Sequence, residues 1–176
     1  MPEFVDPTGR LMTSFLAAVA EFRADHDHPV PWFVDDVDPR ALVDSAAFEA
    51  YTARVLGERN QSGVRPGFVP MTTLWWADGE HFLGRLAIRH RLTPALEKLG
   101  GHIGYDVRPG ARRQGHATAM LAAALPIARS LGISPAALVM CDTTNTASQR
   151  VIEANGGQLL DVTGHKRRYQ VPTTRS

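Results

Sequence analysis

The stretch Val107-Arg108-Pro109-Gly110-Ala111-Arg112-Arg113-Gln114-Gly115-His116-Ala117-Thr118 constrains the fold of this chain more than any other. A β-prone run ends at Pro109, a turn containing glycine follows, and the pattern then becomes helical. Ala117, Met120, Leu121, Ala124, Ala128 and Leu131 recur at i, i+3, i+4, i+7 spacing. The first N–H groups of a helix have no internal partner and carry the positive end of its dipole, so such a junction is an anion site. Gly115 and Ala117 leave the backbone open to approach, and Arg108, Arg112 and Arg113 crowd the same end. Basic residues at a helix start oppose the dipole unless an anion arrives, so a phosphorylated ligand is expected. The excess is local. The 19 Lys and Arg against 18 Asp and Glu leave a net charge of +1, which is not the balance of a dedicated nucleic-acid binder.

The rest of the chain supplies the layers around this junction. Met12, Phe15, Leu16, Val19 and Phe22 predict an amphipathic helix over 9–23. The proline- and aspartate-rich segment 25–38 reads as a loop, and Asp38-Pro39 as the cap and first residue of a second helix with Val43, Ala47, Ala50, Tyr51 and Val55 on its face. Val69–Trp76 and His81–Arg89 are β-prone runs separated by Ala77-Asp78-Gly79-Glu80, a hairpin signal. A loop or single helical turn over 91–101 leads to a strand at 102–107. Helix 114–131 is interrupted by Pro126, and strand 136–141, helix 145–154 and strands 158–162 and 166–171 close the chain. The class is α/β, in the α+β sense, with a mixed sheet.

The motifs of the common phosphate loops are absent: there is no G-x-x-x-x-G-K-S/T, and no G-x-G-x-x-G with an acidic residue about 20 positions on. Arg112-x-x-Gly115-x-Ala117, entered from a Val-x-Pro strand end, resembles instead the acetyl-CoA motif Gln/Arg-x-x-Gly-x-Gly/Ala of the GCN5-related N-acetyltransferases (GNAT), small bacterial members in particular. The layout from about Phe4 to Val171 and the strand Gly101-His102-Ile103-Gly104-Tyr105-Asp106-Val107 are similar to that family too. The resemblance implies a mostly antiparallel central sheet with one parallel, splayed strand pair and about four flanking helices. It implies that the backbone of Arg113, Gln114, Gly115, His116, Ala117 and Thr118, following Arg112, cradles the CoA pyrophosphate, and that Val107 pairs with the pantetheine arm. Asn145, with Ser148 one turn later, matches an asparagine that the family places near the same ligand. Seven residues on, where many members carry a tyrosine that protonates the leaving thiolate, this chain has Ile152, so the general acid is unassigned.

At the position of a glutamate in many relatives stands His102. Its unperturbed pKa of about 6.5 suits a base that takes the proton of an attacking amine. The alternative is a strand histidine bonded to the loop before it. The expected function is direct transfer of the acetyl group of acetyl-CoA to a primary amine of a small molecule or peptide, without a metal. An acyl-CoA-binding module without activity, or a binder of another phosphorylated ligand, is the competing reading.

Other features bound the picture. The single cysteine, Cys141, excludes an intrachain disulfide and a multi-cysteine zinc site, and reads as a small buried residue. Asp25, His26, Asp27 and His28 have a metal-like composition but sit in a proline-rich loop and are expected to be solvated. Of Trp75 and Trp76, which alternate across a strand, one is expected in the core and one in an acceptor pocket. The N-terminus lacks a basic and apolar leader and no window approaches a membrane span, so a cytoplasmic protein is expected, with neither membrane nor nucleic acid as partner. One domain over 1–176 is expected, with residues 172–176 as a flexible tail. The acceptor pocket would come from the same chain, with a second copy, in a homodimer, free to complete it.

Overall fold

Gly79, with φ of 58° at the tip of the Asp78-Gly79-Glu80 turn, closes the hairpin from which the sheet grows. In the computed structural model, which describes residues 1–174, the elements run β1 (Glu3–Val5), α1 (Met12–Ala24), α2 (Trp32–Asp35), α3 (Ser45–Gly57), β2 (Met71–Asp78), β3 (His81–Arg89), α4 (Pro94–Leu99), β4 (Ile103–Val107), α5 (His116–Ser130), β5 (Ala136–Asp142), α6 (Thr146–Ala154), β6 (Gln158–Thr163) and β7 (Lys166–Pro172). Strand order in the sheet is β1-β2-β3-β4-β5-β7-β6, antiparallel throughout except for the parallel pair β4 and β5. The mixed sheet with its parallel pair is as expected. Four of the helices have nine residues or more, and α2 and α4 are short additions.

Cross-strand partners share a face of a sheet, as do residues two apart along a strand. One face carries Trp76, Leu86, Ile88, Ile103, Val139 and Tyr169 and is covered by α5 and α6 through Met120, Leu121, Ala124 and Ile152. The other carries Trp75 and is covered by α1, α2 and α3 through Phe15, Phe22, Phe33 and Phe48. Both tryptophans are therefore core residues. Trp75 stacks on Phe15 with ring centroids 4.7 Å apart, and Trp76 meets Phe4 edge-on at 4.9 Å. The second face also holds Arg85, Ala87 and Arg89 of β3 beside Asp106, Gly104 and His102 of the β4 segment.

Several sequence expectations need correction. The N-cap of α3 is Asp44, whose carboxylate accepts the N–H of Ala47 at 2.9 Å, whereas Asp38 caps only a turn through the N–H of Arg40. The helix accordingly buries Phe48, Thr52 and Val55, and Val43 lies outside it and exposed. The loop 25–38 contains α2, pinned by buried Phe33, Val34 and Val37. Strand β1 is too short to carry a periodic signal, yet it caps the sheet edge against β2. The expected tail is ordered as far as it is described: Pro172 ends β7, and buried Thr173 donates its N–H (2.9 Å) and hydroxyl (3.0 Å) to the carbonyl of Pro135. Residues 175 and 176 of that tail lie outside the described residues. Among the described residues, no helix is long and apolar enough to cross a membrane.

Candidate active site

Strands β4 and β5 are in register at a single pair, Ile103 with Val139, next to the bond from the His102 N–H to the Leu138 carbonyl at 2.7 Å. Beyond it they part, and β5 pairs along its whole length with β7 instead. The gap between the ends of β4 and β5 leaves strand-edge backbone of β4 free to pair with an extended ligand.

The turn after β4 ends at the mouth of this gap. Arg113 and Gly115 both adopt the left-handed region, with φ of 61° and 83°, and α5 starts immediately after. Positive-φ turns of this kind gather successive N–H groups into an anion-binding concavity. The first bond out of the turn into the helix is from Ala119 N–H to the Gly115 carbonyl at 3.1 Å. Among the described residues, nothing accepts from the N–H groups of Arg113 through Thr118. A Cβ on Gly115 would meet no atom within 4 Å, so the reasons for glycine are the positive φ and open access.

The arginines are used differently from the sequence expectation. Arg108 pairs with Glu21 of α1 (Nη2 to Oε1 at 2.6 Å), and Glu21 also accepts the N–H of Gly110 at 3.0 Å. Arg112 pairs with Asp25 at 2.6 Å and donates Nε–H to the Val107 carbonyl at 3.3 Å. Two of the three positive charges thus meet internal carboxylates that tether the turn to the end of α1, and only Arg113, exposed, is left facing outward. Bonds from Arg112 and His28 hold the Asp25 carboxyl down to about 2. This is the actual use of the Asp25 to His28 segment. Among the described residues, no three His, Cys, Asp or Glu side chains converge to hold a metal.

The remaining expected residues divide between the turn and the gap. His116 accepts the Trp76 Nε1–H on Nδ1 at 3.3 Å, which fixes the start of α5 to β2. Asn145 is the N-cap of α6 and accepts the Ser148 N–H at 3.0 Å. The Ser148 hydroxyl lies 2.7 Å from the hydroxyl of Tyr105, so this pair bridges β4 and α6 beside the gap. Burial pushes the Tyr105 phenol well above its usual value, which keeps it protonated. Ile152 is fully buried in the core, and Cys141 is buried with its thiol pushed up by burial. Tyr105 is the site residue that sequence reasoning passed over. Its signal was present, as the only tyrosine on the strand that enters the motif.

His102 is held at the apex of the gap. Its Nδ1 accepts the Leu138 N–H at 2.9 Å, on β5 rather than on the preceding loop. The proton of the neutral ring is then on Nε2, and the lone pair that a base would use is engaged. Burial and the nearby Arg89 charge hold its pKa below the ordinary histidine value. This is the geometry of a clamp between two strands.

On the face opposite α5 and α6, next to Arg89 and α4, is a cavity of about 620 Å³, within the usual range for small-molecule sites. Trp32, Asp36, Glu58, Arg65, Phe68 and Arg89 line it. Burial raises the Glu58 carboxyl. Trp32 stacks over the buried Arg85 guanidinium at 4.5 Å, and Arg85 faces Asp106 at 3.7 Å.

The family model for the acetyltransferase (GNAT) domain matches residues 12–158. The chain belongs to the GNAT acetyltransferase family. The fold of this GNAT chain is also that of solved acetyltransferases. The microcin C7 self-immunity acetyltransferase MccE, in complex with acetyl-CoA and AMP, aligns at a TM-score of 0.66 with 10% identity, over 97% of this chain and 92% of that one. RimL, a ribosomal L7/L12 alpha-N-protein acetyltransferase in complex with coenzyme A, aligns at 0.63 with 14% identity, over 96% and 92%. PaiA N-acetyltransferase from Thermoplasma acidophilum, in complex with coenzyme A, aligns at 0.58 with 14% identity, over 98% and 99%. No curated protein matches the chain.

Proposed function

We propose that this GNAT chain is an N-acetyltransferase that binds acetyl-CoA at the 113–118 turn and passes the acetyl group directly to a primary amine. The observation that supports this best is the juxtaposition of six unpartnered N–H groups with a gap between parallel strands. In this reading the pyrophosphate takes the N–H groups of Arg113, Gln114, Gly115, His116, Ala117 and Thr118, with Arg112 shaping the turn through Asp25. The pantetheine lies along Val107 in the gap, and Asn145 and Ser148 line its other side. MccE, RimL and PaiA are described with acetyl-CoA or coenzyme A bound, which agrees with this assignment.

The acceptor is placed on the opposite face, where Gly104 leaves the sheet uncovered at the apex of the gap: a Cβ there would meet nothing within 4 Å. The amine attacks the thioester carbonyl, the C–S bond breaks, and the thiolate needs a proton. Tyr105, bonded to Ser148, supplies it in place of a side chain at Ile152. The proton shed by the attacking nitrogen passes to solvent, which returns one to the donor of the thiolate's proton. The guanidinium groups of Arg85 and Arg89 on the acceptor face disfavour an ammonium there and so favour the attacking free amine. His102 positions β4 against β5 at the point of transfer. Its expected use as base requires the Leu138 bond to open.

Release of free thiol from acetyl-CoA, measured across a panel of amines and peptide N-termini, tests the proposal. Turnover with at least one acceptor class is expected. Buried Ile152 is what favours a binding module without activity, and thiol release at background with every amine would establish that reading instead.

A further inference from the structure

We infer that the cavity beside Arg89 takes an acceptor carrying an anionic group, a carboxylate or a phosphate, and that Arg89 is the residue that binds it. The inference rests on the transferase reading for the identity of the bound molecule as acceptor; the anion subsite has its own evidence. The cavity's other charged side chains are matched. Arg54 pairs with Glu58 at 2.8 Å and Arg65 with Asp36 at 3.1 Å. Arg89 is the exception: among the described residues no carboxylate comes within ion-pair distance of it.

What Arg89 does hold leaves most of its fork free. Nη1 donates to the carbonyls of Gly101 at 3.0 Å and Gly100 at 3.4 Å, while among the described residues Nε and Nη2 have no partner. The group is half-buried, and burial together with the neighbouring Arg85 charge disfavours its protonated form. A guanidinium kept in a concave, partly desolvated site without a counter-charge is costly, and planar pairing with an oxyanion from a ligand offsets that cost.

The position suits an acceptor. Arg89 donates its own N–H to the His102 carbonyl at 2.7 Å and lies two residues along β3 from Ala87, the partner of Gly104. An anion at Arg89 therefore anchors a molecule whose amine reaches the uncovered backbone at Gly104. Trp32 and Phe68, each about half exposed on the cavity wall, provide an apolar flank for the part between.

The test uses matched probes on the CoA-loaded protein: propylamine against 4-aminobutanoate and 3-aminopropyl phosphate, and phenethylamine against 4-(2-aminoethyl)benzoate. Thermal unfolding reads binding without requiring turnover. The acid-bearing members are expected to bind at least tenfold more tightly than their neutral partners, the carboxylate and phosphate arms showing which anion is preferred. In Arg89→Gln that advantage is lost, and in Arg89→Lys it is retained in part; stabilisation by CoA reports that each variant is folded. Equal binding of acidic and neutral members by the wild-type chain, or an advantage that survives in folded Arg89→Gln, overturns the inference, and the first holds even if the variant does not fold. Binding of the acidic probes with no thiol release once acetyl-CoA replaces CoA counts against the transferase reading and leaves the anion subsite standing.

Discussion

The two faces of the sheet meet at the β4–β5 gap but are built from different materials. The side that ends in the 113–118 turn presents backbone: N–H groups, two left-handed residues and a strand edge, all within one continuous stretch of chain. The side with the cavity, proposed for the acceptor, presents side chains, with Trp32, Glu58, Phe68 and Arg89 brought together from α2, the end of α3, the following loop and β3. In the proposed reading, backbone donors hold the pyrophosphate common to every acyl-CoA, and side chains distinguish one acceptor from another. Such a division lets the acceptor wall vary without altering the cofactor turn.

The two sides separate most sharply at Gly115. Valine there must adopt a positive φ, which costs about 1–2 kcal/mol, and its side chain stands where the pyrophosphate would approach. Gly115→Val is expected to abolish stabilisation by CoA while acceptor-side probes still bind. Retained CoA stabilisation would show that the turn is not the phosphate site.

A smaller effect is expected at Tyr105, which stands beside the gap against Ser148 of α6. Tyr105→Phe should lower the rate at saturating acetyl-CoA by about 10²-fold, the usual scale for a positioned acid, with CoA affinity retained. A rate within twofold of wild type would remove Tyr105 from the mechanism.

His102 joins the two sides, and its effect should be the mildest. His102→Ala leaves the Leu138 N–H unpaired at a cost of about 1–3 kcal/mol, whereas Asn at this position offers an oxygen in place of Nδ1. Rescue of stability and rate by His102→Asn identifies a clamp; a rate still tenfold or more below wild type, with stability restored, identifies a base. The pH dependence has a definite sign. Because the folded pKa of His102 is below the ordinary value of 6.5, the unfolded chain takes up the proton first. The clamp's contribution is thus present at neutral pH and lost as pH falls below about 6.5, and His102→Asn should remove that part of the acid loss in a thermal unfolding series.

The same division explains what the sequence could reveal. The left-handed turn between β4 and α5 was legible because a strand end, a glycine and a helix start follow one another in fixed order within a dozen residues. The hairpin at Gly79 and the Asn145 cap were legible for the same local reason. The start of α3 was misplaced because Asp38-Pro39 and Asp44 both satisfy cap rules, and burial of Phe48 decides between them. The pairing of Arg108 with Glu21 and Arg112 with Asp25 spans 87 residues in each case, and no local pattern announces it. His102 shows the limit most clearly: residue type suggested a base, and only the position of β5 shows that its lone pair is taken.

The 113–118 turn and the gap beside it are proposed as a coenzyme A site. Thermal unfolding of the wild-type chain with CoA and, separately, with ATP tests it most directly. At about 100 times its Kd, CoA should add about 2.7 kcal/mol of stability, which for a chain of this size raises the midpoint by roughly 5 to 10 °C, with no shift from ATP at the same concentration. No shift with CoA, or an equal shift with ATP, would contradict the account.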